Sequence, residues 1–141
     1  MANPITGGYP SEAEVEAHSF DLINQDRASH GLPALALDSE LAGVARSHSQ
    51  DMRDRNYFSH TDPDGNSPSH RMRIAGITFK IAGENIAQTK ALKDPAQAAN
   101  DEFLSDSEHR DVIFNTQFTR VGVGVARSGT EYWITQDYVG Q

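Results

Sequence analysis

The sequence predicts an α+β fold in which helices come first and an antiparallel hairpin closes the chain. Apolar residues recur with helical spacing in three long segments between residues 11 and 106. Residues 119–138 change to a two-residue alternation on two runs that are joined by a Ser-Gly turn. This separation of helices from the closing strands favours an α+β fold over a βαβ fold.

Composition limits the classes of function. The 141 residues fit one domain with a core, and the formal net charge of −8 argues against electrostatic binding to nucleic acid or an anionic membrane. No apolar run approaches the roughly 20 residues of a membrane span. The absence of cysteine excludes disulfides, thiolate metal sites and cysteine nucleophiles.

The chain is expected to form one domain over residues 11–141, preceded by a flexible arm over residues 1–10. The arm contains Gly7, Gly8 and Pro10 and has no apolar pattern. Its start has neither the basic residues nor the apolar middle of a signal peptide.

Capping signals place the helices. Ser11 and Glu14 match a capping box, and either Asp38 or Ser39 caps the second helix. Two cap–proline pairs, beginning at Ser67 and Asp94, start two more helices. The predicted helices cover residues 11–30, 39–54, 67–76 and 95–106, with a further turn or two in 108–114.

The strands follow from alternation. The segment "ITFKI" at 77–81 resembles a strand that "GENIA" at 83–87 continues. The closing hairpin is predicted over 119–127 and 131–138. Trp133 lies in the middle of its second strand, and the alternation does not decide which face of the sheet it takes.

Six histidines are candidates for chemistry. Three of them suit structural or solvent-exposed roles at helix positions without an acidic pattern: His18, His30 and His70. His48 shares a helix face with apolar residues and should point inward, either as a satisfied core residue or close to a site. His60 and His109 both occupy junctions between segments.

Three acidic residues break local rules. Glu84 lies in an otherwise apolar strand, where a carboxylate is costly unless it is paired or bound, although a solvent-facing Glu84 is an alternative. Asp106 and Glu108 lie at the expected end of a helix, where the last turn prefers positive charge. Such local conflicts often mark functional positions.

Six ordered segments carry a resemblance to a known family: "HSQDM", "NYFSH", "AGENIA", "SEHRDVIF", "VGVGVA" and "YWITQDY". Together they resemble the CAP superfamily of cysteine-rich secretory proteins, antigen 5 and plant pathogenesis-related proteins, and its short, cysteine-free bacterial branch in particular. The similarity runs from about Glu14 to Tyr138. It implies a three-layer α-β-α sandwich around a central antiparallel sheet.

The resemblance also implies a central cleft that holds two histidines and two acidic residues. His60, Glu84 and His109 match three of the family's positions. Asp106 aligns best with the fourth, and Glu108 is the alternative. Because aspartate is one methylene shorter than the usual glutamate, Asp106 would reach a metal only through water.

The implied cofactor is a divalent transition metal, with zinc first. Both histidines would be direct ligands and water would fill the open positions. Glu84, the acid at 106 or 108, and His48 would support the ligands from behind.

The sequence is compatible with three functions. The first is a secreted, monomeric domain that binds an extracellular lipid, a cell-envelope component or a protein. The second is a metal-dependent hydrolase of the peptidase kind, with Glu84 as the candidate base for a zinc-activated water. The third is a purely structural domain. No nucleophile motif or oxyanion-hole signature supports the hydrolase, and secretion predicts an export signal upstream of Met1.

Overall fold

The computed structural model describes residues 8–141. The helices are α1 (Glu12–Ser29), α2 (Ser39–Arg55), α3 (Pro68–Ile74), α4 (Pro95–Leu104) and α5 (Ser107–Ile113). The strands are β1 (Ala36–Leu37), β2 (Ile81–Lys90), β3 (Arg120–Ser128) and β4 (Glu131–Gly140).

The predicted flexible arm lies largely outside the described residues. Its described end is held against the domain, because the Pro10 carbonyl accepts a hydrogen bond from the Tyr132 hydroxyl at 2.6 Å. Residues 8–10 therefore lie on the domain.

The sheet has the strand order β1-β3-β4-β2. The three long strands pair antiparallel, as predicted. A short strand that was not predicted from the sequence, β1, pairs parallel with the start of β3 over two residues. The Asn24 side chain of α1 bonds both backbone groups of Leu35, at 2.8 and 3.1 Å, and so sets this short strand beside β3.

Helices cover both faces of the sheet and make the three-layer α-β-α sandwich. On one face, α1 packs on β3 and α4 packs on β2. They share a core that includes the following buried residues: Val15, Leu22, Ile23, Phe103, Val121, Val123 and Val125. On the other face, α2 crosses β3 at two glycines. A Cβ atom on Gly122 or Gly124 would lie 2.1 or 1.9 Å from the α2 backbone, so the small residues of the alternation permit this close approach.

Most predicted helix ends are confirmed. Both hydrogen bonds of the Ser11–Glu14 capping box form, and Asp38 caps α2. The predicted strand at 77–81 is wrong in its first four residues. The chain leaves α3 through Gly76 at φ 82°, and Ile77 is buried in a core cluster beside α2 and α3.

The predicted helix over 95–106 also requires correction, because α4 ends at Leu104. Asp106 is in an extended conformation and is the N-cap of α5, with its carboxylate accepting from Glu108 N–H at 2.8 Å. Asp106 and Glu108 therefore lie at a helix start, where negative charge is favourable, and the conflict inferred from the sequence does not exist.

Candidate metal-binding cleft

The candidate site is a cleft at the outer edge of β2, where the two helical layers meet. Its cavity measures about 510 Å³. One wall is the segment after α2, the other is α4 and α5, and β2 lies between them. The lining residues are Phe58, Ser59, His60, Ile86, Glu102, Ser105, Asp106 and His109.

His60 is oriented from behind by a buried carboxylate. Its Nδ1 lies 2.8 Å from Glu84 Oε1, and the Glu84 side chain is only 1% exposed. A neutral His60 donates its Nδ1 proton to that carboxylate, which leaves the Nε2 lone pair free. Burial, with the positive charge of Arg71 as a second cause, lowers the pKa of His60.

Arg71 neutralises Glu84 from the other side. Its Nη2 donates to Glu84 Oε2 at 2.8 Å, and its Nη1 donates to the carbonyls of His60 and Asn66 at 2.8 and 3.0 Å. The guanidinium therefore fixes both the carboxylate that orients His60 and the loop that carries it. Without this partner, a buried Glu84 would be strongly unfavourable.

A second carboxyl lies beneath this pair. Asp137 of β4 is opposite Glu84 in the β2–β4 register and is fully buried. No N–H or O–H donor within residues 8–141 reaches either of its oxygens, but Glu84 lies within hydrogen-bonding reach. Burial, and then the charge of Glu84, raises the pKa of Asp137 well above its ordinary value. A protonated Asp137 can donate its proton to Glu84.

His109 lines the same cavity from the other layer. Its ring stacks on Phe103 at 5.4 Å between centroids, and its carbonyl accepts from Asn85 of β2 at 3.2 Å. Its Nδ1 lies 3.5 Å from Asp106 Oδ1, but it has no hydrogen-bond partner of good geometry within the described part of the chain. The ring is held by packing, with a carboxylate beside one nitrogen.

His48 lies behind the cleft and holds the chain that carries His60. It is 1% exposed, and its Nε2 lies 2.8 Å from the carbonyl of Ser59. Burial is the main reason that its pKa falls to about 4, so His48 is neutral at physiological pH. In that form Nε2 carries the proton that Ser59 accepts.

The predicted site residues therefore separate into groups. His60, His109 and Asp106 line one cavity, while Glu84 lies beneath His60. His48 contacts the neighbouring residue Ser59, and Glu108 is exposed outside the cavity lining.

Two residues of the site were missed by sequence reasoning: Arg71 and Asp137. A buried glutamate requires a cation, which was a signal to search for an arginine near it. An aspartate in the middle of the last strand was a similar signal. Its position opposite Glu84 depended on a strand register that the sequence did not supply.

The cleft offers two imidazoles as candidate metal ligands, those of His60 and His109. Within residues 8–141, no group of three or more histidine, aspartate or glutamate side chains is arranged to hold an ion. His60 is oriented by the Glu84 carboxylate at its Nδ1, which is the usual arrangement of a metal-binding histidine. At His109 the Asp106 carboxylate lies 3.5 Å from Nδ1 without a hydrogen bond of good geometry. The hydrogen bond at Nδ1 leaves Nε2 of His60 free, and His109 presents its imidazole to the same cavity.

Comparison with known proteins decides the family. The sequence model of the cysteine-rich secretory protein family (CAP) matches residues 20–138, which is most of the chain. The chain belongs to the CAP family. Its lack of cysteine agrees with the cysteine-free bacterial branch that the sequence resembles.

Two bacterial relatives are similar over nearly the whole chain. The uncharacterized protein YkwD of Bacillus subtilis is 39% identical over 139 residues, which are 99% of this chain and 52% of that protein. An extracellular SCP-domain protein of Bacillus anthracis superposes with a TM-score of 0.84 and 37% identity, over 99% of this chain and 45% of that one. The chain thus spans about half the length of these relatives.

A solved structure with much lower sequence identity shares the fold alone. NaASP2, solved with Zn²⁺, superposes with a TM-score of 0.66 at 14% identity, over 96% of this chain and 83% of that one.

In the structure of residues 8–141, no helix combines the length and apolar character needed to cross a membrane.

Proposed function

We propose that the protein is a secreted CAP domain whose cleft binds a divalent metal, zinc first, through His60 and His109. It acts mainly by binding an extracellular or cell-envelope ligand. One observation carries the proposal. The two histidines come from opposite helical layers, more than forty residues apart in sequence, yet line one cavity with a carboxylate beside each Nδ1.

The chain's own residues would hold the metal in a simple way. Glu84 fixes the His60 tautomer, and Asp106 lies beside the corresponding nitrogen of His109. A zinc ion held by two imidazoles keeps open positions for water and acts there as a Lewis acid. Because catalytic zinc sites usually have three protein ligands, we expect weaker affinity here.

The geometry supports binding more than hydrolysis. A general base must reach the water that it deprotonates. Both Glu84 oxygens are already engaged by His60 and Arg71, and the side chain is 1% exposed. This arrangement suits a group that orients His60 and gives little support to Glu84 as the base of a peptidase.

Secretion is supported by the extracellular Bacillus anthracis relative, which is 37% identical. Since this chain covers less than half of that relative, the remainder of such proteins can supply further contacts. The ligand classes compatible with the cleft at this level are a lipid, a cell-envelope component and a protein.

Calorimetric titration with zinc tests the metal site. His60→Ala and His109→Ala should each abolish binding, because each removes one of two protein ligands. Glu84→Gln keeps the shape and removes the charge, so affinity should fall about 10- to 100-fold. His48→Ala should weaken binding less, since His48 acts only through the Ser59 carbonyl.

His18→Ala is the matched control. His18 also has a carboxylate beside its Nδ1, Asp94 at 3.3 Å, but it lies outside the cleft. Its replacement should leave zinc binding unchanged. Unchanged binding in both His60→Ala and His109→Ala would refute the proposed site.

A further inference from the structure

The floor of the cleft is an unpaired strand edge. β2 is the last strand of the sheet, and its only strand partner within residues 8–141 is β4. Ala91 N–H donates to the Thr130 carbonyl, directly after the Lys90–Glu131 pair. This bond shows which alternate residues of β2 form backbone hydrogen bonds with β4. Odd-numbered residues of β2 then bond β4, and even-numbered residues direct their backbone groups away from the sheet.

Ile86 and Gln88 are the two outward residues at the cleft. Within the described chain, no hydrogen bond to another protein group is formed by the backbone N–H or C=O of either residue. An edge of this kind is a template for another strand, and proteins usually cover or blunt it.

The edge runs along one continuous groove. Ile86 lines the cavity of the two histidines, and Gln88 lines an adjoining cavity of about 370 Å³. Phe58 and Glu102 line both cavities. The groove therefore extends from the histidines along β2, with Phe58 on one wall and Glu102 of α4 on the other.

We propose that this groove binds an extended, cationic polypeptide segment by β-strand addition to Ile86 and Gln88. The inference deepens the proposed binding role, on which it rests, by naming the class of ligand, and it does not require the metal. Peptide main chain would supply the affinity, and the side chains on its two faces would supply the specificity.

The pattern of backbone groups argues for a polypeptide. Along β2, an outward donor and acceptor recur every second residue, about 6.6–6.8 Å apart. An extended peptide repeats the complementary groups at the same spacing. A lipid alkyl chain offers neither donors nor acceptors and would leave the open N–H and C=O groups of Ile86 and Gln88 without partners.

The charges of the groove argue for a cationic segment. Three carboxylates line its two cavities, from Glu102, Asp106 and Glu131, against one lysine, Lys90. Phe58, which is 47% exposed, offers apolar contact on the opposite wall from Glu102. A strand that alternates basic and apolar residues would satisfy both walls, since its side chains alternate between faces.

Blocked octapeptides, in which four lysines alternate with four valines, test the proposal. In one isomer the backbone nitrogens of the valines are methylated, and in the other the backbone nitrogens of the lysines are methylated. Each isomer blocks one edge of the strand and leaves charge and composition equal. The parent and one isomer should bind and shift the Ile86 and Gln88 amide resonances. The other isomer should bind at least about tenfold more weakly, because it cannot donate to the open carbonyls.

Two variants of one residue give a matched test in the protein. Gln88→Pro removes an outward N–H that no strand uses, and proline is tolerated on such an edge. It should weaken peptide binding by about tenfold, while Gln88→Ala, which keeps the N–H, should stay within about threefold of the wild type. If Gln88→Pro does not fold, the two methylated isomers decide the question.

Equal binding by both isomers would mean electrostatic attraction only and would overturn the proposal. Binding to phosphatidylglycerol vesicles without binding to any peptide would overturn it in favour of a lipid. Peptide binding should be the same with EDTA and with added zinc, because the strand edge does not use the metal. Failure of the metal site and failure of the strand edge are therefore distinguishable.

Discussion

Glu84 and Asp137 face each other on neighbouring strands, with both carboxyls shielded from water. The Glu84 side chain is 1% exposed and Asp137 is fully buried. Arg71 and His60 contact Glu84, whereas Asp137 has no partner of this kind within residues 8–141. Two adjacent buried carboxyls do not both ionise readily, so the proton belongs on Asp137.

Asp137→Asn should therefore make stability less sensitive to alkali. Burial raises the folded pKa of Asp137 far above its unfolded value, so the folded state holds a proton that the unfolded state releases above about pH 4. Stability is lost as pH rises from there towards the folded pKa. Asparagine has no proton to lose and can still donate to Glu84.

Urea unfolding at pH 5 and pH 8 measures this effect. We subtract the free energy of unfolding of the wild type from that of Asp137→Asn. This difference should be more positive at pH 8 than at pH 5, because only the wild type loses stability as pH rises. A difference that is the same at both pH values would show that Asp137 carries no proton in the folded state.

His48 makes the opposite contribution on the acid side. Its folded pKa of about 4 lies below the unfolded value near 6.5, so the unfolded state takes up a proton that the folded state refuses. Stability is present above pH 6.5 and is lost as pH falls through this window, by about 3 kcal/mol in total. His48→Gln does not titrate and keeps an N–H for the Ser59 carbonyl.

The free energy of unfolding of His48→Gln should therefore change less between pH 7 and pH 4.5 than that of the wild type. Both proteins share every other titrating group, so the comparison isolates His48. Parallel pH profiles would contradict a neutral, buried imidazole at this position.

Trp133 is a core residue, which settles what the alternation left open. It is 6% exposed and packs with Met52, Ile86 and Ala126 between the sheet and α2. Trp133→Ala should lower the free energy of unfolding by about 3–5 kcal/mol, measured by urea denaturation. Trp133→Phe should cost less, since it leaves a smaller cavity. A loss below about 1 kcal/mol for alanine would place the indole at the surface.

Two glycine-to-alanine changes, one at the contact between α2 and β3 and one elsewhere in α2, should change stability in opposite directions. A Cβ on Gly124 would lie 1.9 Å from Arg46 N of α2, so Gly124→Ala should destabilise the fold by about 3 kcal/mol or more. Gly43, within α2, has open space where its Cβ would be. Gly43→Ala should stabilise by about 0.5–1 kcal/mol, because alanine favours the helix. Thermal unfolding of both variants tests the pair, and equal effects would contradict the close approach of α2 to β3.

Much of the fold was predictable from local sequence signals. The capping box at Ser11, the cap at Asp38 and the alternation of the closing hairpin depend on neighbouring residues, and the structure confirms them. β1 was not predictable in this way. It has two residues and is placed by Asn24, a residue on another element.

The candidate site was predictable only where pattern and family resemblance coincided. His60, Glu84 and His109 matched positions of the family's cleft. Asp137 also lay in a recognisable segment, but its role depends on the cross-strand register that places it opposite Glu84. The break between α4 and α5 was placed two residues too late, because it contains neither glycine nor proline. Asp106, followed by Ser-Glu, was the signal for a new helix start, and reading it would have shown that the acid is favourably placed.

A crystal structure grown with zinc, with anomalous scattering recorded at the zinc absorption edge, tests the metal site most directly. We predict one peak in the cleft, bonded by Nε2 of His60 and Nε2 of His109, with Glu84 still at His60 Nδ1. The peak should be lost in crystals grown well below pH 6.5, where free imidazole takes up its proton. A peak at other residues, or an empty cleft at neutral pH with zinc in excess, would contradict the proposed site.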